Sequence, residues 1–273
     1  MKFSIITVNY NNHIGLRHTI NSVINQTFHD YEFIIVDGGS NDGSIEVIKE
    51  YSNRITYWVS ERDKGVYNAM NKGIAQAKGD YINFMNSGDV FYGHDTLEIV
   101  CHHMDDSDFV IGKDYNQDPD TGEVFTTILP TRISMAAFYM WTLPHQSAFI
   151  RRTLFNDSPY DETLRIVADW KFYLEKIVYE GKTVQLLDLI ICNREQEGMS
   201  ISQASKTIEE RRKVLSTLLP PGIYKDYESL ASLDRSTLYK LLNLLDQEKP
   251  RKCISFFIKV LNRVFHSKSF FNL

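Results

Sequence analysis

The chain has 273 residues, 43% of them hydrophobic and 24% charged, with a formal net charge of −5. That size allows one large α/β domain with additions or two small domains, and the composition excludes a disordered or low-complexity chain. The negative charge argues against nucleic-acid binding, and three widely spaced cysteines (Cys101, Cys192, Cys253) indicate neither a disulfide framework nor a zinc site.

The N-terminus shows no signal-peptide profile, and no segment offers the roughly 20 uninterrupted apolar residues of a membrane span, so a cytoplasmic location is expected. Residues 3–8 read as a strand. Leu16, Ile20, Val23 and Ile24 mark the inner face of a helix that stops near Phe28. A second strand, 31–36, runs into turn chemistry from Asp37 to Gly43, followed by a helix carrying Ile45, Ile48 and Tyr51. Residues 55–59 form a third strand, 66–77 a helix and 80–85 a fourth strand. Alternation at this spacing predicts an α/β fold with a mainly parallel sheet flanked by helices.

In such sheets ligands bind beyond the carboxyl ends of the strands. The polar stretches 9–12, 37–42, 60–64 and 86–89 therefore converge on one rim. The last of them, Asn86-Ser87-Gly88-Asp89, places one carboxylate where a divalent metal can be held; its other reading is a turn in which Gly88 supplies unusual backbone and Asp89 caps the next helix. The G-x-x-x-x-G-K-[ST] and G-x-G-x-x-G patterns are both missing from the first strand–helix turn, which disfavours a Walker-type ATPase and a nicotinamide enzyme.

Beyond residue 95 the spacing predicts a helix over 96–104 and strands at 109–112 and 123–128 joined by a polar loop, 116–122. A further strand covers 144–152, where His145 reads as a metal ligand, a substrate contact or a structural residue. An amphipathic helix, 166–179, carries Asp169-Trp170 in its first turn, and a strand over 183–192 leads to the loop 193–202. Helices over 203–219 and 227–245 close the globular part. The tail beyond Glu248 has six Lys or Arg residues and no acid. As a helix it sets Ile254, Phe257, Ile258, Leu261, Val264 and Phe265 against Lys252, Lys259, Arg263 and His266. This is the pattern of a helix in an anionic membrane interface, or of one packed on the domain with its basic face in water.

Three stretches in order carry a family resemblance: SIITVNYNN at 4–12, QTFHDYEFIIVDGGSNDGS at 26–44, and SERDKGVYNAMNKGIAQAKGDYINFMNSGD at 60–89. FIRR at 149–152 and YDETLRIVADW at 160–170 extend them. The chain resembles glycosyltransferase family 2, nucleotide-sugar enzymes of GT-A fold, over residues 1–195. The resemblance implies a GT-A domain at 1–200, with a nucleotide-binding half at 1–92 and an acceptor half at 93–200. Helices at 201–248 and the basic amphipathic tail at 249–273, a candidate surface anchor on the inner face of the cytoplasmic membrane, complete this division.

By the same resemblance Thr7, Val8 and Tyr10 cradle the nucleoside, Asp37 sits by the base or ribose, and Asn68 and Lys72 flank the donor pocket. Asn86, Ser87, Gly88 and Asp89 fall on the D-x-D-type motif, with Asp89 binding Mn²⁺ or Mg²⁺. Asp169 matches the catalytic base, while His145 and Trp170 border the sugar and acceptor. The implied reaction is inverting transfer from a nucleotide-diphosphate sugar to a saccharide hydroxyl, lipid-linked, in polysaccharide biosynthesis. A hard cation on oxygen ligands offsets the charge of the leaving diphosphate, and a placed Asp takes the acceptor proton.

The family's aspartate pairs are here Asp37-Gly38 and Gly88-Asp89, and Met70 stands where many relatives have Arg. UDP is then expected by family frequency alone. A nucleotidyltransferase, or a non-catalytic nucleotide-sugar or glycan-binding module, are the alternatives.

Overall fold

The structure is a computed structural model that describes residues 1–117, 122–130, 132–194, 203–231, 244 and 250–256. It divides into two compact units, residues 1–129 with 142–218, and residues 130–141 with 219–273. Segment 130–141 thus groups with the C-terminal residues rather than with the remainder of 93–200.

The larger unit is built on one sheet. Strands β1 (Phe3–Asn9), β2 (Tyr31–Asp37), β3 (Tyr57–Ser60) and β4 (Tyr81–Phe84) pair in parallel in the order β3-β2-β1-β4. Every residue of β1 is buried, because helices cover both faces, and this is why it reads as an apolar run without alternation. β8 (Ala148–Arg151) joins β4 antiparallel and pairs β6 (Phe109–Gln117) in the same sense; β9 (Val184–Asn193) then runs parallel to β6, and β5 (Val90–Phe91) closes the edge. β7 (Val124–Thr126) pairs β6 as a hairpin. The sheet is parallel through its first four strands and mixed beyond them.

Helix α1 (His13–Ile24) buries Leu16, Ile20, Val23 and Ile24, the face its spacing predicts, and starts where the Asn12 side chain accepts the Gly15 N–H at 3.0 Å. α2 (Ser44–Glu50) and α3 (Val66–Gln76) follow β2 and β3. α3 lies close on β1: a Cβ on Gly73 would sit 2.6 Å from Ile6 Cγ2. That approach carries the first turn of α3, with Tyr67, to the strand ends. α4 (Thr96–His103) precedes β6.

The buried Glu32 carboxylate ties three segments, accepting from Ser4 Oγ at 2.6 Å, from Gly79 N–H at 3.1 Å and from Lys78 N–H. Glu32→Ala strands the Lys78 N–H and the Ser4 hydroxyl, while Gly79 N–H keeps its 2.9 Å bond to Ser4 Oγ, and the change is expected to lower the unfolding free energy by about 2 kcal/mol, read from urea denaturation.

Several expected elements differ. The strand predicted over 144–152 starts only at Ala148; the preceding residues turn, and Asn83 Nδ2 donates to the carbonyls of Gln146 and Ala148. β6 continues to Gln117 rather than stopping at Gly112, because β9 and β7 supply partners along its length. The helix predicted as amphipathic over 166–179 is α6 (Ala168–Tyr173), continued by a π-helical turn at Leu174–Tyr179. It is buried nearly all round, with Phe172 stacked on Phe155 at 4.5 Å.

α7 (Ala204–Leu218) belongs to the larger unit. The smaller unit contains α5 (Met135–Met140), which the spacing did not indicate, and α8 (Pro221–Ala231), where Tyr139 stacks on Tyr227 at 5.2 Å. Residues 250–256 are helical. The remainder of the expected tail, most of the expected helix over 227–245, and the expected loop residues 118–121 and 195–202 lie outside the described residues.

Candidate active site

A cavity of about 1010 Å³ opens in the larger unit beyond the carboxyl ends of β1 to β4. All four converging loops reach it: Val8, Asn9, Tyr10 and Asn12; Gly38 and Gly39; Arg62 to Gly65; and Asn86, Ser87 and Asp89. The lining also includes Thr142 to Gln146, Arg165 to Val167, Asp169, Trp170, Arg194, Thr207 and Arg211. Volume and lining are those of a site for a nucleotide-sized ligand with room beside it.

Of the residues singled out from sequence, Val8, Tyr10, Asn86, Ser87, Asp89, His145, Asp169 and Trp170 line this cavity. Thr7 does not; it is buried and donates from Oγ1 to the Met85 carbonyl at 2.6 Å, tying β1 to β4. Gly88 shapes the turn, with φ +102°, and donates to Thr19 Oγ1 at 2.9 Å, which in turn donates to the Asp89 carbonyl at 2.7 Å. Asn68 and Lys72 turn to other partners, Glu162 at 2.9 Å and Glu61 at 2.7 Å.

Asp37 is completely buried. Its carboxylate accepts from Asn9 Nδ2 at 2.7 Å and from the Ser40 and Ser60 hydroxyls at 2.6 Å each, holding three of the loops together. Burial pushes its pKa up, but these bonds outweigh it and leave the group below the usual carboxylate value. The expected contact with base or ribose is replaced by bonds to the protein. Beside it, Gly38 leaves room for Asp63: a Cβ there would lie 2.4 Å from Asp63 Oδ2 and 3.2 Å from the Tyr10 ring.

The sharpest feature is a chain of side chains across the cavity. Asn86 Nδ2 lies 3.3 Å from His145 Nε2, His145 Nδ1 lies 3.3 Å from Asp169 Oδ2, and Tyr67 Oη lies 2.7 Å from Asp169 Oδ1. Asp169 and His145 keep 14% and 23% side-chain exposure, so the carboxylate is reachable from the cavity. Burial acts to raise the Asp169 pKa, yet the bond and charge of His145 and the Tyr67 bond hold it low. Burial acts to lower that of His145, yet Asp169 first, then Asp89 and Asp114, raise it. Burial followed by the Asp169 charge keeps Tyr67 protonated as a donor.

The signs fix a stability profile. His145, raised above 6.5, contributes stability that is complete below that value and is lost as pH climbs through its higher folded pKa. Asp169, held below 3.8, contributes above that value and loses its share as pH falls through its lower folded pKa. The Tm difference between the native chain and His145→Gln is therefore expected to shrink as pH is raised from 6 to 9 in a thermal melt series.

Sequence reasoning missed the cationic lining, Arg62, Lys64, Arg165, Arg194 and Arg211. The first two sit in the quoted SERDKG stretch, which could have flagged them, as it could Tyr67. Arg165 likewise sits in the quoted YDETLRIVADW stretch, while Arg194 and Arg211 lie in neither and carry no local signal. With Asp63, Asp89 and Asp169 as the acids of the same lining, cations prevail, which suits an anionic ligand.

Among the described residues no group of three or more His, Cys, Asp or Glu side chains is placed to hold a metal ion. The oxygen atoms nearest to that task are the Asp89 carboxylate and Asn86 Oδ1, which is buried with no hydrogen-bond partner. These are the hard donors that Mn²⁺ or Mg²⁺ takes, and one carboxylate suffices where diphosphate and water fill the other positions.

Comparison with known proteins bears on this geometry. The family model for glycosyl transferase family 2 matches residues 4–180. An uncharacterized glycosyltransferase of Mycobacterium tuberculosis is 29% identical over 210 residues, which is 72% of this chain and 76% of the relative. Among solved structures, S. aureus TarS 1-349 in complex with UDP-GlcNAc superposes with a TM-score of 0.64 at 20% identity, covering 83% of this chain and 70% of that one. The chain spans 42% of the longer solved form of TarS. The mannosyltransferase PcManGT from Pyrobaculum calidifontis, in complex with GDP-Man and Mn²⁺, gives 0.61 at 13% identity over 95% of this chain and 80% of its own. At those identities the likeness establishes the shared GT-A fold.

Proposed function

The chain belongs to glycosyl transferase family 2, and from that premise we propose that its cavity performs inverting transfer of a sugar from a UDP-sugar to a saccharide hydroxyl. The observation that carries this reading is that Asp169, ionised and reachable, lines the same cavity as Asp89 and the strand-end loops. UDP is chosen over GDP on family frequency and on the UDP-GlcNAc complex of TarS, against the GDP-Man complex of PcManGT.

Tyr10 and the loop after β1 take the nucleoside, and the cationic lining takes the diphosphate. Asp89 would hold Mn²⁺ or Mg²⁺, which when bound adds positive charge at the leaving diphosphate. Asp169 accepts the acceptor hydroxyl proton as that oxygen attacks the anomeric carbon from the face away from the diphosphate, and one displacement inverts the configuration. Tyr67 and His145 hold the carboxylate by its two oxygens and keep it ionised. Burial of the walls strengthens these interactions over their value in water.

For the acceptor we take a lipid-linked glycan in cell-surface polysaccharide biosynthesis, met at the inner face of the cytoplasmic membrane. Support comes from the basic, apolar pattern of 249–273, of which 250–256 are helical with Phe256 exposed. No helix among the described residues is long and apolar enough to cross a membrane.

A thermal-shift screen of UDP-, GDP-, dTDP- and CMP-sugars with Mn²⁺ tests the reading. A UDP-sugar at 100 times its Kd is expected to raise Tm by about 6 °C, and to release UDP when a saccharide acceptor is added. Pyrophosphate release would favour a nucleotidyltransferase, and binding without turnover a non-catalytic module.

A further inference from the structure

Helix α6 begins without a cap of its own, since Val167 at the N-cap position makes no side-chain hydrogen bond to the first turn. Backbone N–H groups at a helix start have no intrahelical partner and must find one elsewhere. The three donors leading into α6 find theirs on α7. Glu210 accepts from Arg165 N–H at 2.8 Å through one carboxylate oxygen, and from Ile166 and Val167 N–H at 2.9 and 3.3 Å through the other. The opposite side of the segment is held from α3, where Tyr67 Oη lies 2.7 Å from the Ile166 carbonyl as well as from Asp169. Asp169 follows two residues after Val167, so its backbone leaves a segment clamped from both sides.

The next residue of α7 grips the other flank. Arg211 sets its guanidinium 4.9 Å from the centre of the Trp170 ring, beside Asp169 in the chain, and Thr207 and Arg211 both line the cavity. α7 lies wholly beyond residues 4–180, the part matched by the family model. We infer that α7 is a working wall of the site and that Glu210 is a positioning residue, whose carboxylate sets the aim of Asp169 through the 165–167 backbone. This rests on the glycosyl-transfer reading only for the role of Asp169. A negative charge suits the start of a helix, and a carboxylate offers two acceptor oxygens to three donors, which Gln cannot.

If Glu210 only fastened α7 to the sheet domain, its loss would weaken folding, donor binding and turnover together. A positioning role separates them. The full chain is compared with Glu210→Ala, Glu210→Gln and Asp169→Asn by hydrogen exchange over 165–170 and by UDP release from UDP-N-acetylglucosamine with Mn²⁺. A GDP-, dTDP- or CMP-sugar replaces that donor if the screen selects one. In Glu210→Ala the 165–167 amides are expected to exchange faster and kcat to fall about 100-fold while the donor KM stays within about twofold. Glu210→Gln, with one accepting oxygen left, is expected to recover part of the rate, and it carries the test if the alanine variant does not fold. Unchanged exchange, or a KM rise at constant kcat, overturns the positioning role. Wild-type turnover in Asp169→Asn overturns the base assignment instead and leaves the exchange result standing.

Discussion

Asp169→Asn is expected to cut sugar transfer by about 1000-fold while leaving nucleotide-sugar affinity unchanged. The substitution keeps the shape of the side chain, and an amide oxygen can still accept from Tyr67 Oη, now 2.7 Å away. What it removes is the site that receives the acceptor proton. It also removes the charge that raises the His145 pKa, so His145 should titrate nearer its ordinary value. Steady-state rates with saturating acceptor, beside donor titrations followed calorimetrically, separate the two effects. Retained transfer sinks the base assignment, and parallel loss of donor binding turns Asp169 into a structural group.

Asp89→Asn should remove the metal dependence of the site. Asp89 is 5% exposed, and its backbone is held by Thr19 Oγ1 and the Gly88 turn, so the variant should fold. The expected result is that Mn²⁺ no longer raises Tm in the presence of donor and that transfer falls by about three orders of magnitude, to the rate of the native chain in EDTA. A variant that responds to Mn²⁺ as the native chain does would remove Asp89 from any metal site and leave the diphosphate to the cationic lining. Because Asp89 is assigned to the metal and Asp169 to the acceptor proton, the two losses are expected to separate: the first in donor and metal response together with rate, the second in rate alone.

Much of the site was legible because the first ninety residues repeat one local rule. Apolar strands end in polar loops, and a parallel sheet sends all such loops to one side. Asn86 to Asp89 and Tyr10 could be placed on a common rim without coordinates for that reason. The misplacements share a cause. Asp37, Thr7, Asn68 and Lys72 lie in the right segments, but whether a side chain faces a cavity or another partner depends on residues 11 to 94 positions away, such as Glu61 for Lys72, Ser60 for Asp37 and Glu162 for Asn68.

The turn Asn86-Ser87-Gly88-Asp89 and the chemistry of its carboxylate follow from sequence alone, because strand, glycine turn and acid are adjacent in the chain. So do the alternation of elements and the parallel half of the sheet, since each strand–helix unit must bury its own apolar face. Only the tertiary structure decided that Asp169 meets His145 and Tyr67, residues 24 and 102 positions away, and that Glu210 holds the segment before it. Those contacts answer needs that no local pattern records: a buried carboxylate needs donors, and an uncapped helix start needs an acceptor. Distant segments supply both only once the sheet has brought them together.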